Sequence, residues 1–169
     1  MHPLRQFIRD VPDFPQPGIL FRDIAPLLRT QLAPTIDALA DLLDRDAWNG
    51  IGAIAGIESR GFILASALAV KLGKGFVPIR KQGKLPPPVV DIPYSLEYGS
   101  GVLEMQRGSG ALALIDDVVA TGGTMRASAE LCTKAGYDVR ALLALVDLRL
   151  SGEKLSWRGM PLRYVIDYA

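Results

Sequence analysis

Histidine and cysteine are nearly missing: the 169-residue chain holds one of each, His2 and Cys132. A single cysteine rules out an internal disulfide and any metal site built on several thiolates. A Ser-His-Asp triad, a Cys-His dyad or a multi-histidine zinc centre would each have to recruit His2, beside the start of the chain. Excess charge of one sign is missing too. Lys and Arg total 19 against 18 for Asp and Glu, a formal net charge of +1, so nothing points to nucleic acid or a membrane surface as partner. The longest apolar run, Phe62 to Val70, is broken by Ser66 and falls far short of the ~20 residues that span a bilayer. Around Arg5, Arg9 and Asp10 no apolar stretch stands ready as a signal-peptide core, so the expected location is cytoplasmic. What is present, 49% hydrophobic and 22% charged residues, suits one ordinary globular domain over 1–169. Chemistry is left to carboxylates, Arg, Lys, Tyr, backbone amides or a bound hard cation.

Apolar runs bounded by glycine alternate with amphipathic stretches. Ile51–Ile57 is short, continuous and apolar, as a strand buried on both faces should be, and Phe76–Ile79, Ala111–Ile115 and Val139–Val146 read the same way. Gly61–Leu72 has room for about three helical turns. Thr124–Ala135 spaces Met125, Ala129, Cys132 and Ala135 as a helical stripe. Ile36, Leu39, Leu42 and Leu43 repeat the stripe upstream, with Pro34 suited to a first turn. Strand, helix, strand, twice over, predicts right-handed crossovers and an α/β fold: a central, mostly parallel twisted sheet flanked by helices. Two stretches break the rhythm. Residues 1–30 hold Pro3, Pro12, Pro15, Pro17 and Pro26 and cannot form one regular element. Lys81–Pro93, with Gly83 and Pro86–Pro88, reads as a long loop, followed by a hairpin of Tyr94–Tyr98 and Val102–Gln106 about Gly99-Ser100-Gly101.

The sharpest feature is Ala111–Thr124, ALALIDDVVATGGT. An apolar strand runs into two adjacent carboxylates, then a small-residue loop, then a helix. In an open parallel sheet, ligands sit beyond the carboxyl ends of the strands, where this loop must lie. Gly122 and Gly123 let amide groups approach an anion with no Cβ in the way. The helix start adds its dipole, and the hydroxyls of Thr121 and Thr124 add donors. That combination suits a terminal phosphate monoester. The lysine and spacing of a nucleoside-triphosphate P-loop are absent. Asp116 and Asp117 only accept hydrogen bonds when ionised, which suits a vicinal sugar diol; they could also orient Mg²⁺ through water.

On these residues the sequence resembles a known family. IDDVVATGGT (115–124) is similar to the phosphoribosyl-diphosphate (PRPP) motif of type I phosphoribosyltransferases. PGILFRDIAPLL (17–28), AGIESRGF (55–62), PIRKQGKLP (78–86) and YSLEYG (94–99) resemble the adenine-specific branch of that family, in order and at similar spacings. The resemblance implies that family's fold, with a small N-terminal hood over 1–30 and a flexible catalytic loop and hairpin over 80–106. It also implies its reaction: adenine joins the ribose of PRPP, giving AMP and pyrophosphate in purine salvage.

Residue by residue, the resemblance assigns Ala120, Thr121, Gly122, Gly123 and Thr124 to the 5′-phosphate, and Asp116 and Asp117 to the ribose hydroxyls. Glu58, Ser59 and Arg60 become the pyrophosphate loop, with a non-prolyl cis peptide expected near Glu58–Ser59. From the tetrapeptide alone, Arg60 could equally form a surface ion pair and Ser59 cap the helix. Arg80, Lys81 and Lys84, with Gly83 as pivot, become a lid that closes over the diphosphate and excludes water; without the resemblance they read as a solvated basic turn. Glu97 becomes the group that moves a proton to or from the adenine ring, with Arg60 and Lys81 as its catalytic partners on the diphosphate. Leu20, Phe21 and Arg22 become the adenine site, the Phe21 ring against the purine and the Leu20 backbone reading its edge, while Arg22 and Asp23 brace the segment. Mg²⁺ is the implied cofactor, held mainly through PRPP and water, beside Asp116 and Asp117. A homodimer is implied as well. The chain departs from the family in a short segment between Gln106 and Ala111 and in its proline triplet. Two rival readings remain: an enzyme for a 6-oxopurine or a pyrimidine, and a non-catalytic regulator that binds nucleic acid. A basic face or an added DNA-binding domain would mark the second, and a +1 chain of this length offers neither.

Overall fold

A computed structural model describes residues 2–96 and 99–168. A 3₁₀ turn at Pro3–Phe7 opens it, and the Nδ1 of His2 accepts the Leu4 amide at 3.3 Å. The chain's one histidine is thereby spent on a cap. β1 (Arg9–Pro12) and β2 (Leu20–Asp23) then pair antiparallel as a separate ribbon, Val11 opposite Phe21. α1 (Ala25–Ala40) breaks at Gln31, which has non-helical dihedrals. Pro34 therefore stands in the first turn of the second helical segment, as its missing N–H requires, while the first segment starts beside Pro26. α2 (Arg45–Asn49) is a single capped turn on Asp44.

The main sheet follows: β3 (Ala53–Ile57), α3 (Arg60–Leu72), β4 (Gly75–Lys81), β5 (Val89–Leu96), β6 (Gly99–Gln106), β7 (Gly110–Val119), α4 (Gly123–Ala135), β8 (Tyr137–Asp147), β9 (Ser156–Trp157) and β10 (Met160–Asp167). Its order is β5-β6-β4-β3-β7-β8-β10-β9. The five inner strands β4, β3, β7, β8 and β10 are parallel neighbours, and antiparallel strands close both edges. Strand alternation divides the core. Ile54, Ala113, Ile115, Leu143 and Leu145 pack under α1 and α3; Ile57, Leu112, Leu114, Leu142 and Ala144 pack with Met125, Ala129 and Cys132 of α4. Cys132 is sealed there, its thiol pushed up by burial to about 12.

Three boundaries depart from the sequence reading. β7 does not end at Ile115 but carries Asp116 and Asp117 inside the strand, Asp116 opposite Ala144 and Val119 opposite Asp147. Carboxylates are poor strand formers, yet ladder bonds to buried β8 override that preference. The loop after β4 is shorter than 81–93, because Val89–Pro93 pair with Val102–Gln106. Pro93 is tolerated because β5 is the sheet edge. Gly99-Ser100-Gly101 is strand and not turn: Gly101 pairs with Tyr94, whose ring lies where its Cβ would be.

Gly56 marks the tightest seam. An added Cβ would sit 2.6 Å from the Ala65 Cβ, 3.1 Å from the Gly61 carbonyl and 3.1 Å from the Phe76 ring. Gly56→Ala should therefore cost roughly 1–3 kcal/mol by overpacking, read as an earlier urea midpoint at unchanged slope. An unchanged midpoint would mean that α3 slides off β3 without penalty.

Candidate active site

β3 and β7 lie side by side, but α3 leaves β3 toward β4 and α4 leaves β7 toward β8. The strand order therefore reverses between them, and a crevice opens at their carboxyl ends. Two adjoining clefts fill it. One, about 320 Å³, is lined by Asp116, Val118 to Met125 and Ser95. The other, about 310 Å³, is lined by Ile57, Glu58, Ser59, Arg60, Lys81, Tyr94, Leu103, Asp116, Asp117 and Thr124. Asp116 and Thr124 belong to both, so a ligand could run from the α4 start to the α3 start.

The α4 end is an anion cradle. Gly122 has φ +86° and caps the helix without a side-chain bond, leaving the first-turn amides of α4 open to a ligand. A Cβ on Gly122 would strike the Leu155 Cδ1 at 2.4 Å, and one on Gly123 would stand 3.1 Å from the Ser95 carbonyl. Ala120, Thr121, Gly122, Gly123 and Thr124, all expected at the phosphate, are brought together here.

The acid pair sits between the cradle and α3. Asp117 Oδ2 lies 2.7 Å from Arg60 Nε, but the contact is not an aligned hydrogen bond, so a buried carboxylate oxygen still has an acceptor position unused. Asp116 Oδ1 accepts the Asp117 amide at 2.9 Å and lies against Gly61. Burial, then the neighbouring Asp117 charge, push the Asp116 carboxyl well above its ordinary range. A diol donating into this pair would offset both.

Glu58 organises the other end. Burial alone would raise its carboxyl, but bonds from the Lys84 Nζ (2.8 Å), the Lys81 amide (3.0 Å) and the Arg80 Nε (3.1 Å) outweigh burial and hold it low. The Glu58–Ser59 peptide is cis, as expected. Glu58, Arg80, Lys81 and Lys84 are thus one cluster. Glu58 spends its charge on the cations, so it acts here as their counter-ion, which the sequence reading had not separated from anion binding.

The β1–β2 ribbon reaches the same place. Arg60 Cζ lies 5.0 Å from the Phe21 ring centroid, and Phe14 meets Phe21 edge-on at 5.1 Å. Leu20 is exposed. Arg22 does not follow them: its guanidinium pairs with Asp10 and lies 4.2 Å from the Tyr168 ring, which Arg5 approaches at 3.9 Å. Its side chain braces the ribbon against the C-terminal strand rather than facing the crevice. Glu97 lies outside the described residues. Tyr94 and Ser95 line the clefts and were not among the expected site residues; the sequence placed both only in the hairpin.

Among the described residues no three His, Cys, Asp or Glu side chains converge as a metal cage. Two acids, one of them on Arg60, fit a hard cation that keeps waters and substrate phosphates as its other ligands. They do not fit a protein-enclosed metal.

The description "Phosphoribosyl transferase domain" matches residues 28–156. The chain is 50% identical to an adenine phosphoribosyltransferase of Hydrogenovibrio crunogenus over 99% of its own length and 97% of that protein's. It is 45% identical to one of Bdellovibrio bacteriovorus, over 98% and 99%. Among solved structures, the adenine phosphoribosyltransferase of Rhodothermus marinus superposes with a TM-score of 0.87 at 42% identity, covering 98% of this chain and 96% of that one. The Saccharomyces cerevisiae enzyme, solved with an imino-altritol bisphosphate and adenine, gives 0.86 at 35%, covering 96% of each.

Asp116 generates a pH prediction. An acid whose folded pKa is raised contributes stability below its unfolded value and loses it as pH rises through the folded one. At neutral pH its ionised form therefore costs stability. Asp116→Asn, which keeps an oxygen for the Asp117 amide, should raise the thermal midpoint of the ligand-free protein by a few degrees at pH 7. The gain should vanish near pH 3, below the ordinary aspartate value of ~3.9. Scanning calorimetry at both pH values checks this, and an equal midpoint at pH 7 would sink it.

Proposed function

The chain belongs to the adenine phosphoribosyltransferase family, and from this we infer that it transfers the phosphoribosyl group of PRPP to adenine, giving AMP and pyrophosphate. It is a purine-salvage enzyme. The observation that carries the reading is the switch-point crevice, where a buried acid pair lies between an amide-lined anion cradle and a cluster of cations.

The roles follow from the chemistry of each group. The open amides and hydroxyls of 120–124 take the 5′-phosphate, and Asp116 and Asp117 accept from the ribose hydroxyls. That anchors C1′ near the start of α3. Arg60, Lys81, Arg80 and Lys84, with the Ser59 hydroxyl and amide, receive the diphosphate, while Glu58 holds the cations in place. As the C1′–O bond to diphosphate breaks and the N9–C1′ bond forms, charge accumulates on the leaving oxygens. Fixed guanidinium and ammonium groups stabilise it there without reorganising. Mg²⁺ bound through the diphosphate and water, beside Asp116 and Asp117, would supply further neutralisation of that charge.

Adenine lies against Phe21. The outer edge of β2 is unpaired in a two-stranded ribbon, so the Leu20 backbone can offer both a donor and an acceptor, and that pairing separates a 6-amino from a 6-oxo purine. Glu97 accepts the N9 proton; its support is the SLEYG match in sequence. The Saccharomyces cerevisiae relative holds adenine and a bisphosphate sugar analogue, and the Giardia lamblia relative holds 9-deazaadenine.

The same reading includes a homodimer. Ile63 and Val70, two turns apart on α3, and Phe76 of β4 are exposed large apolar groups, Val70 at 83%, and a second copy would cover them. Among the described residues no helix is long and apolar enough to cross a membrane. A cytoplasmic setting belongs to the same reading, in which the one thiol, being buried, asks nothing of an oxidising compartment.

Incubated with adenine, PRPP and Mg²⁺, the protein should release AMP. Hypoxanthine used as well as adenine would overturn the base assignment. The double substitution Asp116→Asn, Asp117→Asn should raise the KM for PRPP about tenfold or more with the fold intact by circular dichroism. Glu97→Gln should lower kcat by ~10²–10⁴ at similar KM. Full activity in both variants would break these residue assignments.

A further inference from the structure

Glu104 is a carboxylate covered from solvent on a β-strand. It sits on β6, the middle strand of three, opposite Arg80 of β4 and Asp91 of β5. Its neighbours Leu103 and Met105 are buried, and Glu104 itself is only 3% exposed. Burying a charge is costly unless it is paired and hydrogen-bonded. Here the compensation comes chiefly from the turn after β4, with the Arg80 charge adding to it. The Glu104 Oε1 accepts the Lys84 amide and the Leu85 amide, each at 2.7 Å. Burial would raise its carboxyl, but the amides of Gly83, Leu85 and Lys84 hold it below the usual range.

That turn carries Lys84, whose ammonium meets the crevice through Glu58. Lys84 is held at three points: its amide by Glu104, its carbonyl by Arg80 Nη1 at 3.4 Å, and its ammonium by Glu58 at 2.8 Å. A second anchor, the Gln106 side-chain amide, donates to the Pro86 carbonyl at 3.2 Å. Glu104 lines neither cleft, and its carboxylate is spent on the amides of the turn. We propose that Glu104 is a positioning residue for the diphosphate end of the reaction: it fixes the 83–85 backbone so that Lys84 and Arg80 meet the leaving group pre-placed. This rests on the phosphoribosyl-transfer reading. Ordering a cation-bearing turn before substrate arrives removes part of the entropy that binding would otherwise cost.

Two variants test it. Glu104→Leu removes the acceptor and fills the space with an apolar group; Glu104→Gln keeps one oxygen but loses the charge. Glu104→Leu should raise the KM for PRPP about tenfold or more, the cost of losing bonds to a charged acceptor, while the KM for adenine stays within about twofold. Glu104→Gln should fall between it and the wild type. Trypsin should cut after Lys81 or Lys84 faster in Glu104→Leu than in wild type. Both KM values rising together, or neither rising in a folded variant, would overturn the proposal. If Glu104→Leu does not fold, Glu104→Gln decides by the same split between the two KM values. A wild-type protein that makes no AMP would overturn the functional reading instead, a result distinct from an active wild type whose Glu104 variants behave identically to it.

Discussion

Everything in this molecule hangs on one geometric constraint: β3 and β7 are parallel neighbours whose following helices depart in opposite directions. No side chain or backbone can close the gap at their carboxyl ends without abandoning one crossover. Helix starts that would otherwise be capped by their own side chains face this gap, with Ser59 and Gly122 at the cap positions and neither making a side-chain bond. The open amides are a standing demand for an anion. The tight seam at Gly56, with Ala65 and Gly61 in contact distance of any added Cβ, is the packing consequence of drawing α3 close enough to present its start there.

The carboxylates around the gap divide by what they accept. Glu58 and Glu104 are buried acids held low by donors already in place, amides and cations of the 80–85 segment. Their bonds are complete above the ordinary glutamate value of 4.5 and are lost only as pH falls through their lowered values. Asp116 is buried without enough donors and is held high. The first two are satisfied by protein and serve structure. The last is satisfied only by something absent from the chain.

Much of this was legible in the sequence because it lies in continuous segments. The strand, acid pair, small loop and helix of 111–135 follow one another, so their juxtaposition needs no tertiary knowledge. The phosphate and diol expectations came from residue types alone; those for the base and the leaving group came from resemblance. What was not legible depends on partners distant in sequence. Nothing local marks Glu104 as an anchor, since Leu103, Glu104 and Met105 are all buried and the alternation that flags a strand face is lost. The strand character of Gly99–Gly101 was hidden because glycine signals a turn, whereas here its missing side chain makes room for Tyr94. β10 was missed as well: Arg163 and Asp167 interrupt its apolar pattern, and its ladder with β8 supplies the order that the pattern lacks.

Arg80 and Lys84 are not idle in the ligand-free protein. Glu58 holds both, so these partly exposed cations are already paired with a buried carboxylate. In the proposed reaction an incoming diphosphate would compete with Glu58 for cations that are already paired. The exchange would be of one anion for another at nearly fixed positions, so little reorganisation would accompany the departure of pyrophosphate from C1′. The same symmetry would aid release: as the product leaves, Glu58 would take the cations back. A single monovalent carboxylate is also the weaker partner against a multivalent diphosphate, which is why it can guard the site without blocking it.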